Sequence, residues 1–372
     1  MSQPGSLRVA RLFGIPVYLH ASWLVIFGLI TWTLAAGYFP SVHPDLPAGA
    51  YWVKALVASL FLFLSILLHE LSHALVALHH GIGIRSITLF IFGGVAQMEK
   101  DPPDGETEFR IAVVGPLTSL ALAGLFWLAS TLPLLGSAGQ MVARYLAVIN
   151  LILAVFNLVP AFPLDGGRIL RGLLWRGGNK IRATRIAVGA GTLFAYVLIV
   201  TGVLRLLQGM VLGGMWQVLI GWFLKEAAAG AGRGAQLDDT LAGLTVADAM
   251  VREPATLAAD LSLAEAAQDH FARTGYGGYP VLRGKQAVGL LCLRDVLRVA
   301  PQERESISVQ AVMTPLGPDT TIEPAVALRD AVARLAEQGR GRLVVVEGTK
   351  LAGLLTLSTV IRHARVREQL RG

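Results

Sequence analysis

His69, Glu70 and His73 stand in the order His-Glu-x-x-His inside a long apolar stretch. On a helix the two imidazoles lie four residues apart on one face and can reach one ion. Glu70, beside the first of them, can face a water on that ion. Zinc lowers the pKa of such a water to about 7, and a neighbouring carboxylate takes the proton during attack. The single cysteine, Cys292, excludes a disulfide framework and a cysteine-based zinc site. A metal here must be held by histidines and carboxylates. The plainer reading of His69 and His73 is a pair of core histidines bonded to backbone or to each other.

A catalytic zinc takes three protein ligands and keeps one position open. Residues 1–232 carry 9 Asp and Glu; Glu226 ends the last apolar run, and of the others just Glu70 and Asp165 lie within or at the edge of such runs. An ionisable group at that depth is costly and marks a functional site by default. Asp165 is the candidate third ligand, or else the ion-pair partner of Arg168 or Arg171. Pro160 and Pro163 precede it, and Gly166 and Gly167 follow. These breakers predict a carboxylate presented from non-helical backbone that lines a cavity.

Such residues need a membrane-embedded frame. The 372 residues are 54% hydrophobic and only 15% charged, against roughly 25% charged in ordinary soluble chains. Mean hydropathy is +0.58. Disorder, a collagen-like fibre and a single soluble globule are excluded. Six apolar runs, near 19–38, 51–79, 110–134, 141–163, 184–206 and 209–228, read as spans. The first reads as a span rather than a signal peptide. Arg8 and Arg11 precede the first run, and Arg85 and Lys100 lie between the second and third. Five Lys and Arg from Arg168 to Arg182 follow the fourth, and the stretches 39–50 and 135–140 have none. The positive-inside rule then places both termini in the cytoplasm. His69, His73 and Asp165 fall at similar depth, towards the cytoplasmic ends of the second and fourth spans. The net charge of +7 is this topology signal, and no nucleic-acid partner is expected.

At this point the sequence resembles a known family. His69-Glu70-Leu71-Ser72-His73 and Asn157-Leu158-Val159-Pro160-Ala161-Phe162-Pro163-Leu164-Asp165-Gly166-Gly167-Arg168 are similar to the two signatures of the site-2 proteases, which are intramembrane zinc metalloproteases. Gly14-Ile15-Pro16-Val17 with His20, Gly93-Gly94-Val95-Ala96 and Gly115-Pro116-Leu117 also resemble stretches of that family, within residues 8–228. The resemblance implies Zn2+ held by His69, His73 and Asp165, with Glu70 as general base. It implies Asn157 as a donor to the oxyanion or to the substrate strand; a packing amide is the other role open to it. Ser86–Met98, rich in β-branched and aromatic residues, reads as a hairpin or edge strand near the site. An edge strand can hold a substrate extended by β-addition. Gly93 and Gly94 would position that strand, or simply form a tight turn.

Residues 229–240 are small and polar and read as a linker. Two similar units follow, 241–302 and 303–372. Thr245-Val246-Ala247-Asp248-Ala249-Met250 answers Ser308-Val309-Gln310-Ala311-Val312-Met313, and Gly289–Val296 answers Gly353–Val360. The pair resembles tandem CBS domains, each strand–helix–strand–strand–helix. That resemblance implies binding of an adenine nucleotide (ATP or AMP), regulation of the attached domain and a homodimer. The nucleotide pattern is incomplete. The first unit keeps Asp295 with Cys292 at the hydroxyl position; the second keeps Thr356 with Thr359 at the acid position. Asp295 has the alternative of a helix cap.

The expected architecture is a polytopic α-helical membrane protein followed by a cytosolic α/β tandem CBS pair. The membrane domain, 1–228, would hold about six transmembrane helices and a short membrane-associated β segment. The expected function is intramembrane zinc proteolysis of transmembrane or membrane-proximal segments of a substrate protein at the plasma membrane, regulated by the CBS pair. The competing reading is a CBS-regulated channel or cation transporter in which Glu70 and Asp165 bind the cargo.

Overall fold

The computed structural model describes residues 5–44, 46–337, 341–348 and 350–371. The chain forms two compact units, Met1–Arg233 and Gly234–Gly372. The first opens with a hairpin of β1 (Ser6–Leu12) and β2 (Ile15–His20), turned at Phe13 and Gly14, both with positive φ. The helices α1 (Ala21–Val42) and α2 (Ala48–His79) follow. A second hairpin, β3 (Ile84–Phe90) and β4 (Gly93–Met98), comes next. Then come α3 (Gly105–Ala129), α4 (Gly136–Asn157), α5 (Asp165–Arg176), α6 (Lys180–Leu207) and α7 (Val211–Leu241).

Among the described residues five helices, counting α4 from Pro133, are long and apolar enough to cross a membrane: α1, α2, α3, α4 and α6. The sixth expected run falls short of that measure. The last apolar run became the first half of α7, where Gln217, Lys225 and Glu226 dilute the hydropathy. α7 nevertheless returns antiparallel along α6. Gly214 lies against Gly202 and Leu206, and Gly221 against Ala195 and Ile199, so closely that a Cβ on either glycine would clash. Residues 229–240, expected as a linker, lie in the second half of this helix.

The spans are packed for lipid rather than water. α2 buries Ala55, Ala58, Ser59, Ser65, Ala74 and Ala77, while Val53, Leu56, Leu60, Leu64 and Leu68 are exposed. Helices in a bilayer associate through close packing of small residues, since lipid accepts large apolar side chains without cost. The two hairpins join into one sheet in the order β1-β2-β3-β4, with β2 parallel to β3. Ile15 and Ile87 of that sheet pack on Leu71 and Ala74 of α2. The sheet therefore rests on the turns that carry His69 and His73.

The second unit is built twice. β5 (Leu257–Ala258), β6 (Gly278–Arg283) and β7 (Gln286–Cys292) pair as β9 (Thr321–Ile322), β10 (Arg342–Glu347) and β11 (Lys350–Thr356) do, with β8 (Thr314–Pro315) added to β7. In each half a short strand runs parallel to the first arm of an antiparallel hairpin. Capping boxes start two of its helices, Thr245 with Asp248 and Ser262 with Glu265. Hydrogen bonds from Thr245 and Ser262 hold both carboxyls below their ordinary pKa. A depressed folded pKa adds stability that is present above the unfolded value and lost as pH falls through the folded one. Unfolding of this unit, followed by hydrogen exchange, is expected to accelerate as pH drops below about 4. The paired variant Asp248→Asn/Glu265→Gln should flatten that dependence. An unchanged slope would show that the caps do not set it.

Candidate metal centre

α2 carries His69 and His73 on one face near its end, and α5 carries Asp165 as its first residue. His69 Nε2 and His73 Nε2 lie 3.2 Å apart. Asp165 Oδ2 is 3.0 Å from the first and 3.2 Å from the second. All three side chains are buried, and they form the group among the described residues whose ligand atoms could share one ion.

The partners of the two rings test that fit. His73 Nδ1–H donates to the Ile111 carbonyl at 2.6 Å. A carbonyl only accepts, so Nδ1 holds the proton and Nε2 of the neutral ring turns a lone pair inward. His69 Nδ1 lies 2.9 Å from the Ser119 hydroxyl, which orients the ring and can accept from Nδ1–H when Nε2 serves as the ligand atom. Nε2 lone pairs facing a carboxylate oxygen repel, and a divalent cation resolves that repulsion. The donor set of two imidazoles and one carboxylate suits zinc with an open position.

α3 makes room for this meeting. A Cβ on Gly115 would lie 2.5 Å from His73 Cε1 and 2.7 Å from His69 Nε2. Pro116 follows inside the same helix and removes one backbone donor from its ladder.

Asp165 is helical, contrary to the expected irregular presentation. The irregular part is the loop 158–164 before it, which includes a cis Phe162–Pro163 peptide. That loop folds back onto the start of α5. Gly166 abuts the carbonyls of Leu158 and Val159, and Gly167 abuts Ala161 and Phe162. The two glycines serve close approach, not helix breaking. Phe162 N–H donates to Ala187 O of α6 at 3.2 Å, and its carbonyl presses on Gly191.

Nor is Asp165 paired with Arg168 or Arg171. Arg171 Nε donates to both oxygens of Glu108 at 2.9 Å, and Arg168 stands 3.8 Å from the same carboxylate. Glu108, which reads from the sequence as a loop acid, lies in the first turn of α3 and is fully buried. Arg171 also stacks over the Phe162 ring at 5.1 Å. One guanidinium thus ties α5, α3 and the loop together.

Glu70 is half-buried and makes no side-chain hydrogen bond among the described residues. Gly94 of β4 presses on it; a Cβ there would lie 2.5 Å from Glu70 Cγ. Gly93 has φ of 126°, open to glycine alone, so it also makes the turn. Asn157 ends α4, half-buried, with no side-chain hydrogen bond among the described residues. In the second unit Asp295 caps its own helix, accepting from Cys292 N at 3.2 Å. Thr356 and Thr359 cap each other reciprocally at the matching position. Sequence reasoning missed Ser119 and the Glu108–Arg171 pair, and gave Gly115 no role at the site. Gly115-Pro116 was visible as a motif, whereas the buried pair joins residues 63 apart and left no local signal.

Two buried histidines and an aspartate, one turn of helix carrying a free glutamate, and a bundle of apolar spans define a membrane-embedded metallopeptidase. Residues 57–143 and 133–201 match Peptidase family M50, and residues 246–301 and 309–365 match the CBS domain. A protein of Synechocystis sp. named as a zinc metalloprotease is 35% identical over 96% of this chain and 95% of its own length. A Mycobacterium tuberculosis protein named as the zinc metalloprotease Rip3 is 38% identical over 96% of this chain and 92% of its own. The solved site-2 protease of Methanocaldococcus jannaschii is 30% identical, covering 61% of this chain and 95% of its own, with a TM-score of 0.43. The chain belongs to the M50, or site-2 protease, family of zinc metalloproteases, and it carries a CBS domain pair.

Arg171→Met leaves Glu108 buried beside a single distant arginine. It is expected to cost about 3 kcal/mol, the scale for breaking a buried pair, and to lower zinc retention by displacing α5. Glu108→Leu with Arg171→Met should recover most of the stability. Thermal unfolding with metal analysis in detergent checks this, and equal losses in both proteins would show that the pair is not the tie.

Proposed function

We propose that the protein cleaves peptide bonds in transmembrane or membrane-proximal segments of other proteins, with zinc on His69, His73 and Asp165 and with Glu70 as general base. The observation that carries this reading is the meeting of those three ligand atoms beside a glutamate that is packed against an edge strand. Bound zinc would polarise the scissile carbonyl and acidify the attacking water.

The chain's own residues account for the remaining work. Among the described residues β4 pairs with β3 alone, so its outer edge offers backbone groups to an extended substrate. Gly94 lets that strand lie against Glu70. The Glu70 carboxylate accepts a proton from the attacking water and passes it to the leaving amide nitrogen. Asn157, with its amide uncommitted, is the donor for the oxyanion.

The basic stretches flank the ends of the spans that would hold the metal ligands, and by the positive-inside rule this supports a cytoplasmic position for those ends, both termini and the CBS pair of a plasma-membrane protein. α7 has 31 residues, about 46 Å of helix, and its course along α6 returns the chain to that side. Phe223 of α7 stacks on Phe92 at the tip of the β3–β4 hairpin, with centroids 4.1 Å apart. The helix that leads into the CBS pair thus grips the hairpin beside Glu70. Adenine nucleotide bound in a CBS homodimer would act through this contact, and Asp295 and Thr356 would serve as ligands by giving up their capping bonds.

The transport reading requires polar groups continuing across the bundle. Among the described residues Thr31 pairs with Ser59 and Asn150 with Ser65, which commits these donors to the bundle rather than to a cargo.

Purified wild type is expected to hold about one zinc per chain and to cleave a model transmembrane substrate. Glu70→Gln should keep the metal and lose at least about 100-fold in rate, while Asp165→Ala should lose the metal. Normal cleavage by Glu70→Gln would exclude the proposed base. Phe223→Ala should keep zinc and cleavage but blunt any response to ATP or AMP; an undiminished response would remove the hairpin from the regulatory path.

A further inference from the structure

A second polar anomaly lies at the opposite end of the bundle. Lys54 is on α2, fifteen residues before His69, which is about 22 Å along the helix axis. Its exposure is 8%. It has no hydrogen bond or ion pair with any described residue. Its stem is buried while its ammonium reaches the surface of the bundle, and a cation within a span marks a binding site by default.

Lys54 lines a cavity of about 340 Å3 between α2, α3 and the start of α4. Every other lining residue is apolar, with Val57 and Phe61 from α2, Phe126 from α3, and Val142 and Leu146 from α4. Val53, Phe61 and Leu135 on the rim belong to the exposed apolar surface, so the cavity opens to lipid. Trp52 and Trp127 are exposed at the same end. Exposed tryptophans mark headgroup level. The ammonium therefore sits where lipid phosphates lie, with an apolar slot leading inward from it.

We propose that this slot binds one acyl chain of an anionic phospholipid whose phosphate pairs with Lys54. The dimensions exclude a partner helix, since a single turn is about 5.4 Å long and 10–12 Å across with side chains and exceeds the cavity volume. The apolar lining excludes a free inorganic anion, which would find one cation and no other donor. A zwitterionic lipid brings its own ammonium and leaves less net charge for Lys54 to answer. The bound lipid would close the interface of α2, α3 and α4. This inference does not depend on the proteolytic reading.

The test uses the full chain, delipidated in detergent and mixed with phosphatidylglycerol, phosphatidylcholine or inorganic phosphate, with retained ligand counted by native mass spectrometry. Wild type is expected to keep one phosphatidylglycerol under conditions that strip phosphatidylcholine. Lys54→Gln should lower that retention about tenfold or more, and Lys54→Arg should preserve it. Ala143→Phe fills the slot with Lys54 in place and should also abolish retention. Zinc content at the distant centre reports that each variant is folded. Equal retention of both lipids by wild type overturns the proposal whatever the variants do. So does undiminished phosphatidylglycerol on Lys54→Gln, or displacement of the lipid by equimolar inorganic phosphate.

Discussion

Three electron-rich atoms are held about 3 Å apart inside an apolar bundle, and much of the first unit exists to keep them there. With both rings neutral and protonated on Nδ1, the Nε2 atoms of His69 and His73 and Oδ2 of Asp165 repel one another at the distances they keep. In water they would be solvated singly; in a low-dielectric interior their repulsion is strong. Each is therefore pinned from behind. Ile111 O fixes one ring and the Ser119 hydroxyl the other. The Asp165 backbone is pinned by the loop 158–164, by α6 and, through Arg171, by Glu108. Such outer contacts orient ligands and tune the metal they hold.

The price of this arrangement is paid in glycine. Gly115 admits the imidazoles to α3, Gly166 and Gly167 admit the loop to α5, and Gly94 admits β4 to Glu70. At each of these positions the missing Cβ is a contact distance and not a turn. Glycine in a helix costs about 1 kcal/mol relative to alanine. In a bilayer this is offset by the packing that small residues allow and by hydrogen bonds that stay within each helix.

The candidate metal-binding group was legible because its chemistry is local or rare. His-Glu-x-x-His is read within two helical turns, and a lone aspartate at the edge of an apolar run is conspicuous whatever its fold partner. The spans were legible from hydropathy, and the CBS repeats from self-similarity. What escaped has a common physical cause. Glu108 and Arg171 look like ordinary loop charges until α3 and α5 pack together, since nothing in either segment records the other. The hairpin β1–β2 is too short and too mixed in composition to stand out from the basic stretch before α1, and it is stable only as part of a sheet completed by β3. Asp165 was misjudged as irregular because Pro and Gly break helices on average, whereas here Pro163 precedes the helix start and both glycines sit in its first turn.

The same reasoning separates the two ends of the bundle. At the His69 end His69, His73 and the buried Glu108 are each answered by another element, and the resulting rigidity suits a group that must present fixed ligand geometry. At the Lys54 end α2, α3 and α4 meet around an apolar slot, and the one cation there has no partner among the described residues. A bundle held together by close packing has no hydrophobic driving force to close such a gap, because lipid fills it as favourably as side chains do. The helices that converge on the metal ligands are thus stiff where they meet one another and open where they meet the bilayer. Motion between the spans is then expected to originate at the Lys54 end, where the slot lies, and to leave the geometry at His69, His73 and Asp165 undisturbed.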